Sequence, residues 1–98
     1  MKQDYLEAVK WYRKAAEQNR YAEANINLGY CYAFGLGVKK DYAEAYAWCD
    51  QVAKTDKSAA ILRDDIVKLM KPKQVALAQK RTKELRSQIE AKLKDGGK

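Results

Sequence analysis

Asp4-Tyr5-Leu6-Glu7-Ala8-Val9-Lys10-Trp11 recurs 37 residues later as Asp41-Tyr42-Ala43-Glu44-Ala45-Tyr46-Ala47-Trp48. Over 4–16 against 41–53, six of thirteen positions are identical. A period near 37 with helical patterning signals stacked helix pairs rather than a sandwich or a βαβ array. Each copy opens on an aspartate that can accept from a free backbone amide, with glutamate three residues on. Tyr5, Ala8, Tyr12 and Ala15 then follow at helical spacing, and Trp11 and Ala16 widen the stripe. This predicts a first helix A over about 4–18, with Asn19 as a left-handed stop.

Working outward, Ala24, Leu28, Cys31 and Tyr32 predict a helix B over about 22–34. Gly29 inside it costs roughly 1 kcal/mol against alanine, which close approach of helix A with Trp or Tyr rings would offset. Gly35 and Gly37 end that helix and turn the chain, and residues 42–54 form the second helix A. Thr55 or Asp56 starts a further helix over 57–70, carrying Ala60, Ile61, Asp64, Val67 and Leu69-Met70. Pro72 then opens a long helix to about residue 94. Val75, Ala78, Thr82, Leu85, Ile89 and Lys92/Leu93 give it a thin a/d-like stripe. Gly96-Gly97-Lys98 reads as a frayed end.

At 98 residues the chain holds one domain, able to bury roughly 60–70% of its unfolded surface. Histidine is absent, which removes the usual general base, the Ser-His and Cys-His nucleophiles and most zinc sites. No phosphate-binding glycine loop occurs; Gly35-Leu36-Gly37 lacks the third glycine. Asp64 and Asp65 are adjacent on a helix and point different ways, so they make no acid–base pair. The residues therefore read as non-catalytic, with no cofactor and no metal. Cys31 and Cys49 read either as a clip between helices or as two small packing residues, with the second favoured.

Charge is uneven. Residues 1–70 carry a net +1 and residues 71–98 a net +6. A basic amphipathic helix could bind nucleic acid, an anionic surface or another helix. No aromatic residue follows Trp48, which weighs against nucleic-acid stacking and membrane anchoring. No stretch approaches a membrane span. At roughly 35 Å against about 21 Å for helix A, the long helix is expected to cap the last repeat and to project beyond it.

Three blocks carry a family resemblance. Asp4…Glu7-Ala8…Trp11-Tyr12-Arg13-Lys14-Ala15-Ala16-Glu17-Gln18, then Ala22-Glu23-Ala24-Asn25-Ile26-Asn27-Leu28-Gly29-Tyr30-Cys31-Tyr32, then Gly35-Leu36-Gly37-Val38-Lys39-Lys40-Asp41 resemble the two helices and connector of a Sel-1-like repeat, a relative of the tetratricopeptide repeat. The resemblance implies an all-α, right-handed αα-hairpin superhelix acting as a protein–protein adaptor or scaffold. In bacteria such proteins are linked to signalling, envelope processes or host contact. The chain departs from the pattern at Asn19-Arg20, at Cys49, in its cysteine spacing and in the second helix B, which lacks Asn-Leu-Gly.

The reading divides the chain into repeat one (1–37), a degenerate repeat two (38–70) and a basic capping helix with its tail (71–98). Asp4, Ala8, Trp11, Leu28, Gly29, Gly35, Gly37, Asp41, Ala45 and Trp48 define the repeats. Tyr5, Tyr12, Tyr30 and Tyr46 are the candidate partner-binding residues. The expected partner is another protein, with self-association through the N-terminal repeat face or the C-terminal helix as a further expectation. Met1 aligns with Val38, so the chain starts at a repeat boundary and reads as part of a longer array. No signal peptide stands at its start, so the chain as written reads as cytoplasmic.

Overall fold

A computed structural model describes residues 4–18 and 21–96; the expected stop at Asn19, the Asn19-Arg20 departure, the alignment of Met1 and the Gly97-Lys98 tail lie outside them. Among the described residues five helices follow in order: α1 (Tyr5–Glu17), α2 (Ala22–Phe34), α3 (Tyr42–Asp50), α4 (Lys57–Val67) and α5 (Pro72–Gly96). No strand occurs among the described residues. The order gives two helix hairpins, α1–α2 and α3–α4, with α2 against α3 joining them. This is the αα-hairpin solenoid expected.

The helix starts are local chemistry. Asp4 Oδ1 accepts from the Glu7 amide at 3.2 Å, and Asp41 Oδ1 from the Glu44 amide at 3.1 Å. Asp56, not Thr55, caps α4, accepting from the Ala59 amide at 3.1 Å. At α5 the Gln74 side chain accepts from the Lys71 amide at 2.9 Å, with Pro72 in the first turn. Each of these satisfies an amide that a helix start leaves without a partner.

The ends are less local. Helix α3 stops at Asp50 rather than continuing to 54, because residues 51–55 form the turn that brings the chain to the Asp56 cap. Gly35 closes α2 in a left-handed conformation. Gly37, at φ 74°, is required twice over, since a Cβ there would stand 2.5 Å from the backbone of Tyr5. The connector is thereby pinned against the start of α1.

The core sets out which face of each helix points inward. In α1 the fully buried residues are Val9 and Ala16, while Ala8, Tyr12 and Ala15 are only half-buried. The Tyr5–Ala15 stripe is thus rotated away from the deepest face. In α2, Ala24, Leu28, Cys31 and Tyr32 are all buried, as the spacing predicts. In α4 the buried set is Ala59, Leu62 and Ile66, one position off the expected Ala60-Ile61 phase, and Ile61 lies outside.

Gly29 is where the two hairpins meet. A Cβ on it would lie 2.5 Å from Cys49 Sγ and 3.2 Å from Leu62 Cδ2. The neighbours are a sulfur and a leucine methyl of repeat two, not the aromatic rings expected. Asn25 ties the same seam. It is buried and donates through Nδ2 to the Trp48 carbonyl at 2.9 Å. That carbonyl sits in the last turn of α3, where intrahelical partners run out. Both cysteines are free and buried, so the clip is not formed. Burial pushes the Cys49 thiol up to about 12, which makes it a packing group rather than a nucleophile.

Helix α5 does not project from the end of repeat two. It lies along α3 and reaches the C-terminal end of α1. Ala78, Thr82, Leu85 and Ile89 are buried, in the phase the sequence predicts, whereas at the ends of that stripe Val75 is only half-buried and Lys92 and Leu93 are exposed. Arg81 grips Glu44 through two hydrogen bonds of 2.8 and 3.0 Å, and Lys92 meets Glu17 at 2.9 Å. The length that exceeds one helix A is used to cross from the second repeat to the first.

Candidate interaction surface

The two helix A copies share a cap and a sequence pattern, yet they present different surfaces. On α3, Trp48 is 2% exposed and Ala45 is fully buried. On α1, the repeat-equivalent Trp11 is 66% exposed, as is Leu6 beside the cap, and Ala8 is half-covered. The repeat pattern counts Trp11 among the repeat-defining residues. The structure makes it a surface residue, because α2 and α5 enclose α3 whereas α1 has α2 on one side and only the end of α5 at Glu17.

The four tyrosine candidates separate. Tyr30 is exposed, Tyr5 is at the edge of exposure, and Tyr12 is half-buried against the core. Tyr46 is buried at 8% exposure, which corrects its reading as a partner-binding residue. Its repeat equivalent is Val9, which is buried as well. Sequence reasoning passed over Leu6 and Phe34. Leu6 falls outside the helical stripe, and Phe34 sits one turn beyond Tyr30 on the same face. Tyr30 and Phe34 stack with ring centroids 6.2 Å apart and planes 10° apart, though both face outward.

Charge around α1 is mixed. Lys14 Nζ stands 5.8 Å over the Trp11 ring centroid, and Lys10 lies 3.9 Å from Glu7. Arg13 is exposed along much of its side chain, and its guanidinium donates to the Tyr32 hydroxyl. Burial raises the Tyr32 phenol above its ordinary range, with the Arg13 charge opposing, so the tyrosine stays a neutral partner for the guanidinium. On the second hairpin Arg63 joins α4 to α3 by a 2.7 Å bond to Asp50.

Among the described residues no group of His, Cys, Asp or Glu could hold a metal ion. Among them, too, no helix is long and apolar enough to cross a membrane.

Comparison with known proteins agrees with this geometry. The family described as Sel1 repeat matches residues 1–19 and 22–54. Protein sel-1 homolog 2 of Mus musculus is 40% identical over 60 residues, which is 61% of this chain and 9% of that protein. The Homo sapiens protein of the same name is likewise 40% identical over 60 residues, with the same coverage of each chain. The chain therefore spans about a tenth of the length of these relatives. Among solved structures, it superposes with a TM-score of 0.82 on c5321, described as a protective antigen present in uropathogenic Escherichia coli strains displaying an SLR fold. That match has 32% identity and covers 95% of this chain and 20% of the other. Repeats of this kind are generally protein–protein interaction modules and typically non-catalytic. With the helix pairs, the glycine connector and the family match all in register, this chain belongs to the Sel1 repeat family.

Proposed function

We propose that this chain is a non-catalytic adaptor that holds another protein on the apolar side chains its helix pairs leave outside. Residues 1–37 and 38–70 act as two repeats, and 71–98 supplies the helix that spans them. The observation that carries this reading is the Tyr30–Phe34 stack, with the two rings 45% and 64% exposed. Large aromatic groups held rigidly at a surface are the usual anchors of protein interfaces, and they add little to solubility. Stacking one on the other also fixes both rotamers in advance, which lowers the entropy cost of capture.

The test compares capture by the full chain and by a Tyr30→Ala/Phe34→Ala variant, each immobilised and exposed to cell lysate at about 0.15 and 0.4 M salt. Loss of a defined set of proteins from the variant at both salts, with thermal unfolding unchanged, is the expected result. Identical capture by both chains overturns the reading. Retention only at the lower salt assigns binding to the charge of α5, since exposed charges are screened within roughly 5 Å at the higher value.

A further inference from the structure

One face of α3 shows what a face of α1 lacks. Glu44, Trp48 and Gln51 stand at i, i+4 and i+7, so they share one side of the helix. Both ends of that side are held by α5. Glu44 accepts from Arg81, and Gln51 Nε2 donates to the Thr82 carbonyl at 3.1 Å. Trp48 lies between them on that side and is buried, and on the facing helix the small Ala78 and Thr82 on either side of Arg81 are buried too.

The 37-residue shift carries this strip onto Glu7, Trp11 and Lys14 of α1. The same capping bond presents it, from Asp4 rather than Asp41. The three roles are kept as well. Glu7 offers a carboxylate, Trp11 an indole, and Lys14 a long donor in place of Gln51. Here the Glu7 carboxylate is 60% exposed, and its one ion-pair partner among the described residues is Lys10 at 3.9 Å. Helix α5 passes the far end of α1, touching Glu17 through Lys92.

We propose that the Glu7–Trp11–Lys14 strip receives an amphipathic α-helix from another protein, docked on α1 as α5 is docked on α3. The helix carries an arginine that pairs with Glu7, flanked on either side by small residues, as Ala78 and Thr82 flank Arg81, that leave room for Trp11. One of its backbone carbonyls accepts from Lys14. This deepens the adaptor reading and rests on it, since it names the kind of partner one surface takes. Continuity with the α3–α5 interface supplies the geometry, and the Glu7 carboxylate supplies the charge requirement. The open indole supplies the apolar area.

A peptide of residues 72–96 has this pattern and contains no tryptophan or tyrosine. It can therefore be titrated into the full chain while tryptophan emission is followed. Trp48 is already buried, so a saturable blue shift with reduced acrylamide quenching reports Trp11. That shift is the expected result, with Glu7→Gln in the chain or Arg81→Gln in the peptide weakening binding about tenfold. The two changes together weaken it no further than either alone. No saturable shift, or a shift that Glu7→Gln leaves undiminished, overturns the proposal. Lysate capture that depends on Tyr30 and Phe34 is read separately, so the adaptor reading can survive the loss of this surface.

Discussion

Replacing Gly29 with alanine sets two known effects against each other. In the middle of α2 alanine is favoured over glycine by about 1 kcal/mol, because it loses less backbone freedom on folding. The added Cβ, however, meets Cys49 Sγ at 2.5 Å, roughly 1 Å inside a normal contact. Cys49 is fully buried and has one rotatable bond, so the sulfur has little room to retreat. Overpacking of this kind costs about 1–3 kcal/mol. The expected balance is a loss of about 1 kcal/mol, or about 4–8 °C in Tm for a chain of this size. The same substitution in a Cys49→Ala background removes the clash and leaves Leu62 Cδ2 at 3.2 Å, a methyl that can shift. There Gly29→Ala stabilises by up to about 1 kcal/mol, giving a coupling of about 2 kcal/mol between the two sites. Urea unfolding of all four chains, followed by far-ultraviolet circular dichroism, measures the cycle. A Gly29→Ala chain more stable than wild type, or the same change in both backgrounds, refutes the claim that this glycine exists for the α2–α3 contact.

Two further outcomes follow from burial. Trp11→Ala changes stability by less than about 0.5 kcal/mol, whereas Trp48→Ala costs about 3–5 kcal/mol, although the two residues share one sequence motif; denaturant melts of the two variants decide it. The Cys49 thiol is held up to about 12 by desolvation against an ordinary value of 9.0, so the folded chain keeps a proton that the unfolded chain releases. Its contribution is whole below about pH 9 and is lost as pH rises toward 12, which predicts alkaline destabilisation that Cys49→Ala lessens in melts across that range, the remainder belonging to groups such as Cys31 and Tyr32 that burial also raises.

Much of the architecture is legible in the chain because it depends on short-range chemistry. The 37-residue recurrence identifies the helix pairs. Asp4 and Asp41 cap the helices their positions predict, and the 78–82–85–89 stripe of α5 is buried as spaced. The buried phase departs from the spacing where several neighbouring residues are apolar at once. In α1, Val9 rather than Ala8 is deepest, and in α4 Leu62 rather than Ile61 turns inward. Periodicity marks an apolar arc but does not rank positions within it, and the ranking comes from the neighbouring helix. The surface was harder to read for the same reason. Residue type marks Tyr30 and Tyr46 alike and passes over Phe34, yet Tyr46 is buried and Phe34 exposed, because exposure depends on the helices packed around each position.

Where the helices begin, that they pair and how often the pattern repeats follow from bonds spanning three to five residues and from a periodicity visible in the chain. Which copy of a repeated residue is buried does not. Trp11 and Trp48 stand in matching contexts, and one is enclosed while the other faces outward only because α5 returns across α3 to reach α1. Exposure is set by what other segments bring to a position. Contacts such as Arg81 with Glu44, 37 residues apart, and Lys92 with Glu17, 75 apart, exist only once the chain has closed on itself.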